Sequence, residues 1–397
     1  MATFADFGLR PQLLRALQKL QFTEPTPVQV ASIPPALEGR DVMASAITGS
    51  GKTAAFGLPL LNAHLDPARA KHRSLIVVPT RELAAQIAAH LELLAGDSRL
   101  QITAVYGGVG FGVQARDLKR GADIIVATPG RLLDHLAQRT VSLESVSCLV
   151  LDEADRMLDM GFLPSVRRLL KHIPAKRQTL FFSATMPPEI LRLAKEMLVN
   201  PVRIDLSPPA KTASGVTQTI YRVDQNRKTD LLVELLKDNS IYSALAFTRT
   251  KARANRLADA LSKNNIPTER IHGNRSQGQR TRALADFKSG KYRVLVATDI
   301  ASRGIDIVDL DLVVNYDVPM VPEDYVHRIG RTARAQATGD AVTFVSREEQ
   351  PQLAQIERSL GTRIALAAAP RLDLARSAPE KQLPAVHARR GNRRRRP

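Results

Sequence analysis

The sequence predicts an α/β protein of two tandem domains, each a mostly parallel sheet covered by helices on both faces, joined by a flexible linker and followed by a disordered basic tail. Three observations predict this. Short apolar runs recur along the chain, each followed by a turn signal and a longer amphipathic stretch, the pattern of strand–helix units laid into a parallel sheet. The pattern breaks at SPPAKTASG (207–215), where prolines, small polar residues and a glycine make a linker, and then restarts. Near residue 365 it stops, and Pro and Arg enrichment without periodicity replaces it.

In the first half the strand runs are 42–46, 75–79, 102–106, 124–127, 149–151 and 179–182, with amphipathic stretches such as 81–94 and 163–170 between them. In the second half they are 244–247, 269–272, 294–297, 312–315 and 341–345. The domains are therefore expected at 35–206 and 216–364, with a leading segment at 1–34 and a tail at 365–397. No short repeat is visible.

The chain has 397 residues and a net charge of +18, from 57 basic and 39 acidic side chains. A balance that basic points to a polyanionic partner, nucleic acid first and an anionic membrane second. Part of it sits in the tail, where residues 371–397 carry nine basic and two acidic side chains. That segment reads either as a tether to structured RNA or as a solubilising appendage. The one cysteine, Cys148, lies in an apolar run and reads as a small core residue, so no disulfide forms within the chain. No Cys/His cluster has zinc spacing. The start lacks a charged region followed by an apolar one, and no apolar run approaches the roughly 20 residues needed to span a bilayer. The expectation is a cytoplasmic protein without membrane contact.

The run at 42–46 leads into AITGSGKT (46–53) and then into a helical pattern, the order of a phosphate-binding loop with Ala46 at the usual first glycine. Gly49 and Gly51 let the backbone turn tightly and present N–H groups to phosphate oxygens, beside a positive helix N-terminus. Lys52 reaches the β/γ-phosphates and the Thr53 hydroxyl is suited to Mg²⁺. A second apolar run, CLVL (148–151), stops at Asp152-Glu153-Ala154-Asp155. Ionised carboxylates at the end of a buried strand are costly unless paired or bound to a metal. Mg²⁺ carried by a nucleoside triphosphate resolves that cost, with Asp152 as the metal's second anchor and Glu153 orienting or deprotonating the attacking water. Asp155 reads either as a further functional acid or as a solvated acid at a helix start.

Charge developing at the γ-phosphate calls for a cation. The second domain offers HRIGRTAR (327–334), where Arg328, Arg331 and Arg334 recur at three-residue spacing and are expected along one side of a helix. The loop and the arginines lie in different domains, so hydrolysis would require the domains to close on the nucleotide.

Together these motifs resemble the DEAD-box family of ATP-dependent RNA helicases, within helicase superfamily 2. The resemblance covers roughly residues 4–364 and includes PTRELA (79–84), GG (107–108), TPGR (128–131), SAT (183–185), FTRT (247–250), HGNRSQGQR (272–280) and ATDIASRGIDI (297–307). The basic tail and the look of the core suggest the bacterial RhlE-type subgroup. The resemblance implies RecA-like domains and an adenine-recognition segment at 1–34, carried by FTEPTPVQ (22–29). There Phe22, otherwise a core residue, stacks on the base and Gln29 reads it, which favours ATP over GTP; Phe4 supports the same pocket. Thr48, Gly49, Ser50, Gly51, Lys52 and Thr53 then hold the phosphates, and Asp306 lies near the ribose. Arg331 and Arg334 match the γ-phosphate fingers. Ser183 and Thr185, with His327 and Asp155 as partners, link the ATP state to domain closure.

The implied RNA face takes Arg81, Gly108, Thr128, Pro129 and Arg131 from the first domain and Arg249, Gly273 and Thr298 from the second. Thr128 and Pro129 read equally well as an ordinary turn. Hydroxyls, glycine N–H groups and arginines suit a sugar–phosphate backbone, so binding is expected to be independent of sequence, with 2′-OH contacts separating RNA from DNA. Two residues depart from the family pattern: Ile47 replaces a common Gln, and Ala333 replaces a Gly beside Arg334. The expected activity is RNA-stimulated ATP hydrolysis coupled to local remodelling of RNA duplexes and RNA–protein complexes. The expected state is a monomer, with ribosomal or RNA-decay proteins as further partners. An ATP-driven RNA clamp and a DNA-directed helicase are the alternatives.

Overall fold

The computed structural model describes residues 2–46, 49–66, 73–206, 216–302, 307, 309–332, 339–368 and 370. The expected linker, Thr48, Asp306, Arg334, both departures from the family pattern and the chain beyond 370 lie outside these residues.

Each half of the chain builds a seven-stranded parallel sheet. The first contains β1 (Val42–Ser45), β2 (Arg73–Val77), β3 (Ile102–Val105), β4 (Ile124–Ala127), β5 (Val146–Leu151), β6 (Gln178–Ser183) and β7 (Val202–Asp205), in the spatial order 3-4-2-5-6-1-7. Its helices are α1 (Pro11–Lys19), α2 (Pro27–Leu37), α3 (Lys52–His64), α4 (Arg81–Ala95), α5 (Phe111–Arg120), α6 (Pro129–Ala137), α7 (Ala154–Asp159), α8 (Leu163–Leu170) and α9 (Pro188–Met197). The second contains β8 (Val216–Arg222), β9 (Ala244–Thr248), β10 (Thr268–Ile271), β11 (Val294–Thr298), β12 (Leu312–Asn315), β13 (Gly339–Val345) and β14 (Ala365–Ala367), in the order 10-11-9-12-13-8-14. Around it lie α10 (Lys228–Leu235), α11 (Lys251–Lys263), α12 (Gln277–Lys288), α13 (Asp299–Ser302), α14 (Pro322–Ile329) and α15 (Gln350–Leu360). The second order is the first with every strand number raised by seven. The chain thus repeats one topology, although its sequence shows no repeat.

Successive side chains of a strand point to opposite faces, so a strand buried on both faces serves two cores. Leu75 and Val77 of β2 join one cluster with Leu149 and Leu151 of β5, while Ile76 joins the other with Val150 and Cys148. In the second sheet Leu245 and Phe247 of β9 pack on one side, and Ala244 and Ala246 on the other. No described helix is long and apolar enough to cross a membrane.

Three strands, β7, β8 and β14, were not expected. β7 is only four residues long, with Arg203 and Asp205 exposed, and β8 is mostly half-buried. β14 is three residues of an Ala-rich stretch that reads as the start of the tail, yet its register on β8 pairs Ala365 with Thr219 and Ala367 with Tyr221. Pairing with a distant strand, not local composition, makes it part of the sheet.

Parallel sheets of this type bind ligands beyond the carboxyl ends of their strands. Most of the singled-out motifs lie there. The phosphate loop follows β1, the Asp-Glu-Ala-Asp run follows β5 and Ser183–Thr185 closes β6, three adjacent strands of the first sheet.

Candidate nucleotide site and nucleic-acid face

A cavity of about 510 Å³ lies between the domains, lined by Phe22, Gln29, Lys52, Asp152 and Glu153 from the first and Arg331 from the second. Gly51 precedes α3 with φ of 94°, a left-handed value that glycine adopts without strain. A Cβ there would lie 2.5 Å from Nε2 of Gln29, so glycine is also required for the close approach of α2 to the loop. Gln29 uses that approach: its Nε2 donates to the Gly51 carbonyl at 3.1 Å and its Oε1 accepts from the Thr26 N–H at 2.9 Å. One N–H and one lone pair of the carboxamide are left, the donor and acceptor that the N7/N6 edge of adenine needs. The Phe22 ring lies edge-to-face with His90 (6.0 Å) and Phe4 (6.4 Å). His90 also lines the cavity, and the sequence reading missed it.

Lys52 is buried at the start of α3; its Nζ donates to the Ala46 carbonyl at 3.0 Å and lies 3.9 Å from Oδ1 of Asp152. Burial pushes the Asp152 carboxyl up to about 6, opposed by Lys52 and reinforced by Glu153 and Asp155. A carboxylate under that penalty gains from a nearby divalent cation. Among the described residues no group of three His, Cys, Asp or Glu side chains could hold a metal alone. Mg²⁺ carried on phosphates does not need one, because phosphate oxygens and water fill its sphere and the protein supplies one carboxylate and one hydroxyl. Asp152 and Thr53, both lining the cavity, fit that donor set.

Glu153 has φ 55° and ψ 49°, a left-handed backbone that is unusual for a side chain other than Asn or Asp. Its Oε2 accepts from Nη1 of buried Arg156 at 2.8 Å. Asp155 does not face solvent. Its Oδ2 accepts from the Thr185 N–H at 2.8 Å and hydroxyl at 2.9 Å, its own N–H donates to Ser183 Oγ at 3.1 Å, and Ser183 Oγ donates to the Thr185 carbonyl at 2.8 Å. Burial opposes ionisation of Asp155, but Lys52, the two Thr185 donors and His327 of the second domain together hold its carboxyl below the usual range.

The two described members of the arginine row, Arg328 and Arg331, do not share one face. Helix α14 ends at Ile329. Arg328, still helical, turns inward and makes a bidentate pair with Asp299 at 2.7 and 2.8 Å, and also donates to the Asn315 side chain. Arg331, past the helix, reaches the cavity, and Arg334 lies outside the described residues. The end of the helix breaks the periodicity that the spacing implied.

The sequence reading also missed a second bridge between the domains. Glu82, in the first turn of α4 and 5% exposed, accepts from Nε2 of Gln277 at 2.9 Å and forms an ion pair with Nη2 of Arg280 at 2.9 Å. Gln277 and Arg280 stand one turn apart on α12 and so face the same way. From sequence Glu82 reads as an acid favouring a helix N-terminus, and nothing local marks its partner 195 positions away. Truncating one member of a buried charge pair strands the other. Glu82→Ala is therefore expected to open the domains and lower RNA-stimulated ATP turnover by about tenfold or more. Steady-state hydrolysis and the distance between fluorophores on the two domains measure this; unchanged values would show that the bridge does not hold the closed arrangement.

The residues expected on a nucleic-acid face occupy equivalent places in the two sheets. Arg81, Gly108 and the Thr128–Arg131 helix start follow β2, β3 and β4, three neighbouring strands at one side of the first sheet. Arg249, Gly273 and Thr298 stand at the ends of β9, β10 and β11, the same three positions of the second. Gly108 has φ of 86°, and a Cβ on it would lie 2.5 Å from Nη1 of Arg81 and 3.5 Å from Cβ of Gln277, so the glycine loop, Arg81 and the second domain are packed together. Thr128 and Pro129 open α6, whose free N–H groups suit a phosphate. Arg249 is partly exposed and held by Glu349 at 3.2 Å, while Gly273 lies exposed beside Lys251.

Comparison with known proteins gives the family of the chain. Residues 26–193 match the DEAD/DEAH box helicase family model and residues 227–336 match the helicase conserved C-terminal domain. The DEAD-box ATP-dependent RNA helicase CshA of Bacillus licheniformis is 44% identical over 371 residues, 94% of this chain and 76% of that protein. The structure of S. cerevisiae Dbp5 bound to RNA and ADP BeF3 superposes with a TM-score of 0.85 at 29% identity, over 93% of this chain and 96% of that one. A variant of the same yeast protein bound to nup159, gle1, ip6 and ADP gives 0.64 at 29% identity, over 91% and 96%. The domain arrangement here is thus nearer to the RNA-bound one. The relatives carry the name CshA, so the RhlE-type subgroup expected from the tail has no support.

Proposed function

The chain belongs to the DEAD-box family of ATP-dependent RNA helicases, and from that premise we propose how its residues divide the work. It is an RNA-dependent ATPase that couples hydrolysis and domain closure to local remodelling of RNA. The observation that carries the reading is the shared cavity, in which Arg331 of one domain faces Lys52, Asp152 and Glu153 of the other. Neither domain alone holds the full set, so hydrolysis depends on closure.

In this reading Phe22 and Gln29 hold adenine, while the loop containing Gly49, Ser50 and Gly51 cradles the phosphates with Lys52. Thr53 and Asp152 would hold Mg²⁺, which when bound withdraws charge from the phosphate oxygens. Glu153 orients the attacking water and accepts its proton, kept in place by Arg156. Arg331 meets the charge that develops on the γ-phosphoryl oxygens. The Asp155–Thr185–Ser183 network, with His327 across the gap, ties the carboxylate run to the position of the second domain. RNA would lie over the equivalent strand ends of the two sheets, on Arg81, Gly108, Thr128, Pro129, Arg131, Arg249, Gly273 and Thr298. These groups suit the sugar–phosphate backbone and read no base. The subgroup favoured by the relatives is CshA-type, and the compartment and state implied are the cytoplasm and a monomer, with ribosomal or RNA-decay proteins as partners.

The test is steady-state ATP hydrolysis by the full chain without nucleic acid, with single-stranded RNA and with DNA of matching sequence. The expected result is strong stimulation by RNA and little by DNA. Equal stimulation by DNA would overturn the substrate assignment, and RNA-stimulated hydrolysis without strand separation of a short duplex would favour a clamp.

A further inference from the structure

We propose that Gln114 is a positioning residue for RNA, setting the spacing between the Arg131 guanidinium and the glycine loop so that both meet one strand. The proposal rests on the reading of Arg131 and Gly108 as RNA contacts.

Gln114 lies on α5, is 3% exposed and touches none of the expected ligand positions itself. Its carboxamide joins three elements. Nε2 donates to the carbonyl of Tyr106 at 2.9 Å, at the end of β3 and immediately before Gly107 and Gly108. Oε1 accepts from Nε of Arg131 at 3.1 Å and from Nε2 of His135 at 3.2 Å, both on α6. The orientation of the amide is fixed by its surroundings. The Tyr106 carbonyl can only accept and the guanidinium can only donate, so oxygen and nitrogen cannot be exchanged. Since Oε1 only accepts, His135 carries its hydrogen on Nε2, and its Nδ1 faces the Thr140 hydroxyl at 2.8 Å. Burial, followed by the charge of Arg131, keeps His135 below the usual imidazole range, in keeping with a neutral ring.

Arg131 is consequently held on one edge only. Besides Gln114, its Nη2 donates to the Val109 carbonyl in the glycine loop, and its Cζ lies 5.5 Å from the centre of the Phe111 ring. That ring stacks on His135 at 4.1 Å with an interplanar angle of 11°. Nη1 of Arg131 has no protein hydrogen-bond partner among the described residues and remains for a phosphate oxygen. An arginine free to rotate would pay rotamer entropy on each binding event, whereas one clamped at Nε and Nη2 presents Nη1 in a single direction.

The test is a double-mutant cycle on the full chain, read as the RNA concentration giving half-maximal ATP turnover with single-stranded RNA. Gln114→Leu keeps the shape and removes every hydrogen bond. It is expected to raise that concentration about tenfold, the loss of one charged hydrogen bond, and to leave turnover at saturating RNA within about twofold. Gln114→Glu, which keeps acceptors for Arg131 and His135 but loses the donor to the Tyr106 carbonyl, is expected to recover only part of the loss. In an Arg131→Ala background Gln114→Leu is expected to add less than about twofold, because residues acting through one another are not additive. Multiplying effects, or wild-type RNA dependence in Gln114→Leu, would overturn the positioning role. If Arg131→Ala alone leaves the RNA dependence unchanged, the RNA assignment of Arg131 fails, and the proposal fails with it. If Gln114→Leu does not fold, the cycle is read on Gln114→Glu and His135→Ala, where a loss independent of Arg131 would equally overturn it.

Discussion

Replacing Arg331 with alanine is expected to lower RNA-stimulated ATP turnover by roughly 10³-fold or more, the range for arginines that meet the transferring phosphoryl group. The side chain is 7% exposed and lines the cavity opposite Asp152 and Glu153. Its backbone is fixed on both sides: the Arg331 N–H donates to the Arg328 carbonyl at 3.1 Å, and the Leu310 N–H donates to the Arg331 carbonyl at 3.3 Å. The charge therefore arrives in one place when the domains are closed. Most of the loss should fall on kcat, since the demand for a cation is greatest in the transition state. Arg331→Lys keeps the charge but not the planar fork and should recover only part of the rate. Turnover within about threefold of wild type for Arg331→Ala would remove Arg331 from the mechanism.

Replacing Glu153 with glutamine is expected to lower turnover by about 10²- to 10⁴-fold, the contribution of a positioned general base. ATP should still bind, because the glutamine is nearly isosteric and the phosphate loop is untouched. The change has a second consequence. Glu153 is paired with Arg156, and both are at most 4% exposed. The amide oxygen can still accept from Nη1, but the charge on Arg156 loses its counter-ion, and breaking a buried pair is destabilising. The nucleotide-free variant should therefore melt below the wild type as well as turn over slowly. Thermal unfolding and ATP-binding titrations separate the two effects. A variant that hydrolyses ATP at the wild-type rate would exclude Glu153 as the base.

The parts of the nucleotide site that were legible in the sequence are local. Gly49 to Thr53 form one short run, as a phosphate site built from successive backbone N–H groups at one helix start requires, and Asp152 to Asp155 form another, because one strand end delivers them. Such chemistry survives as a short pattern. The strand–helix alternation was legible for the same reason, since strands buried on both faces must be almost wholly apolar. The edge strands β7, β8 and β14 were not, because they are partly exposed or only three residues long and their pairing partners lie elsewhere in the chain.

Legible in the chain alone were the α/β fold class, the family and its ATP-dependent activity, and the two short runs in which the candidate phosphate loop and carboxylates lie. The tertiary structure decided the rest. It sent Arg328 to Asp299 and Arg331 to the cavity, although the two are three positions apart, because the helix ends between them. It joined Glu82 to Gln277 and Arg280, and Arg131 to Gln114. It also set the residues proposed to meet RNA, in both halves, on the same three strand positions of one repeated topology. Each of these is a pairing of groups far apart in the chain, and which groups meet is fixed by strand order and domain closure, neither of which leaves a local trace.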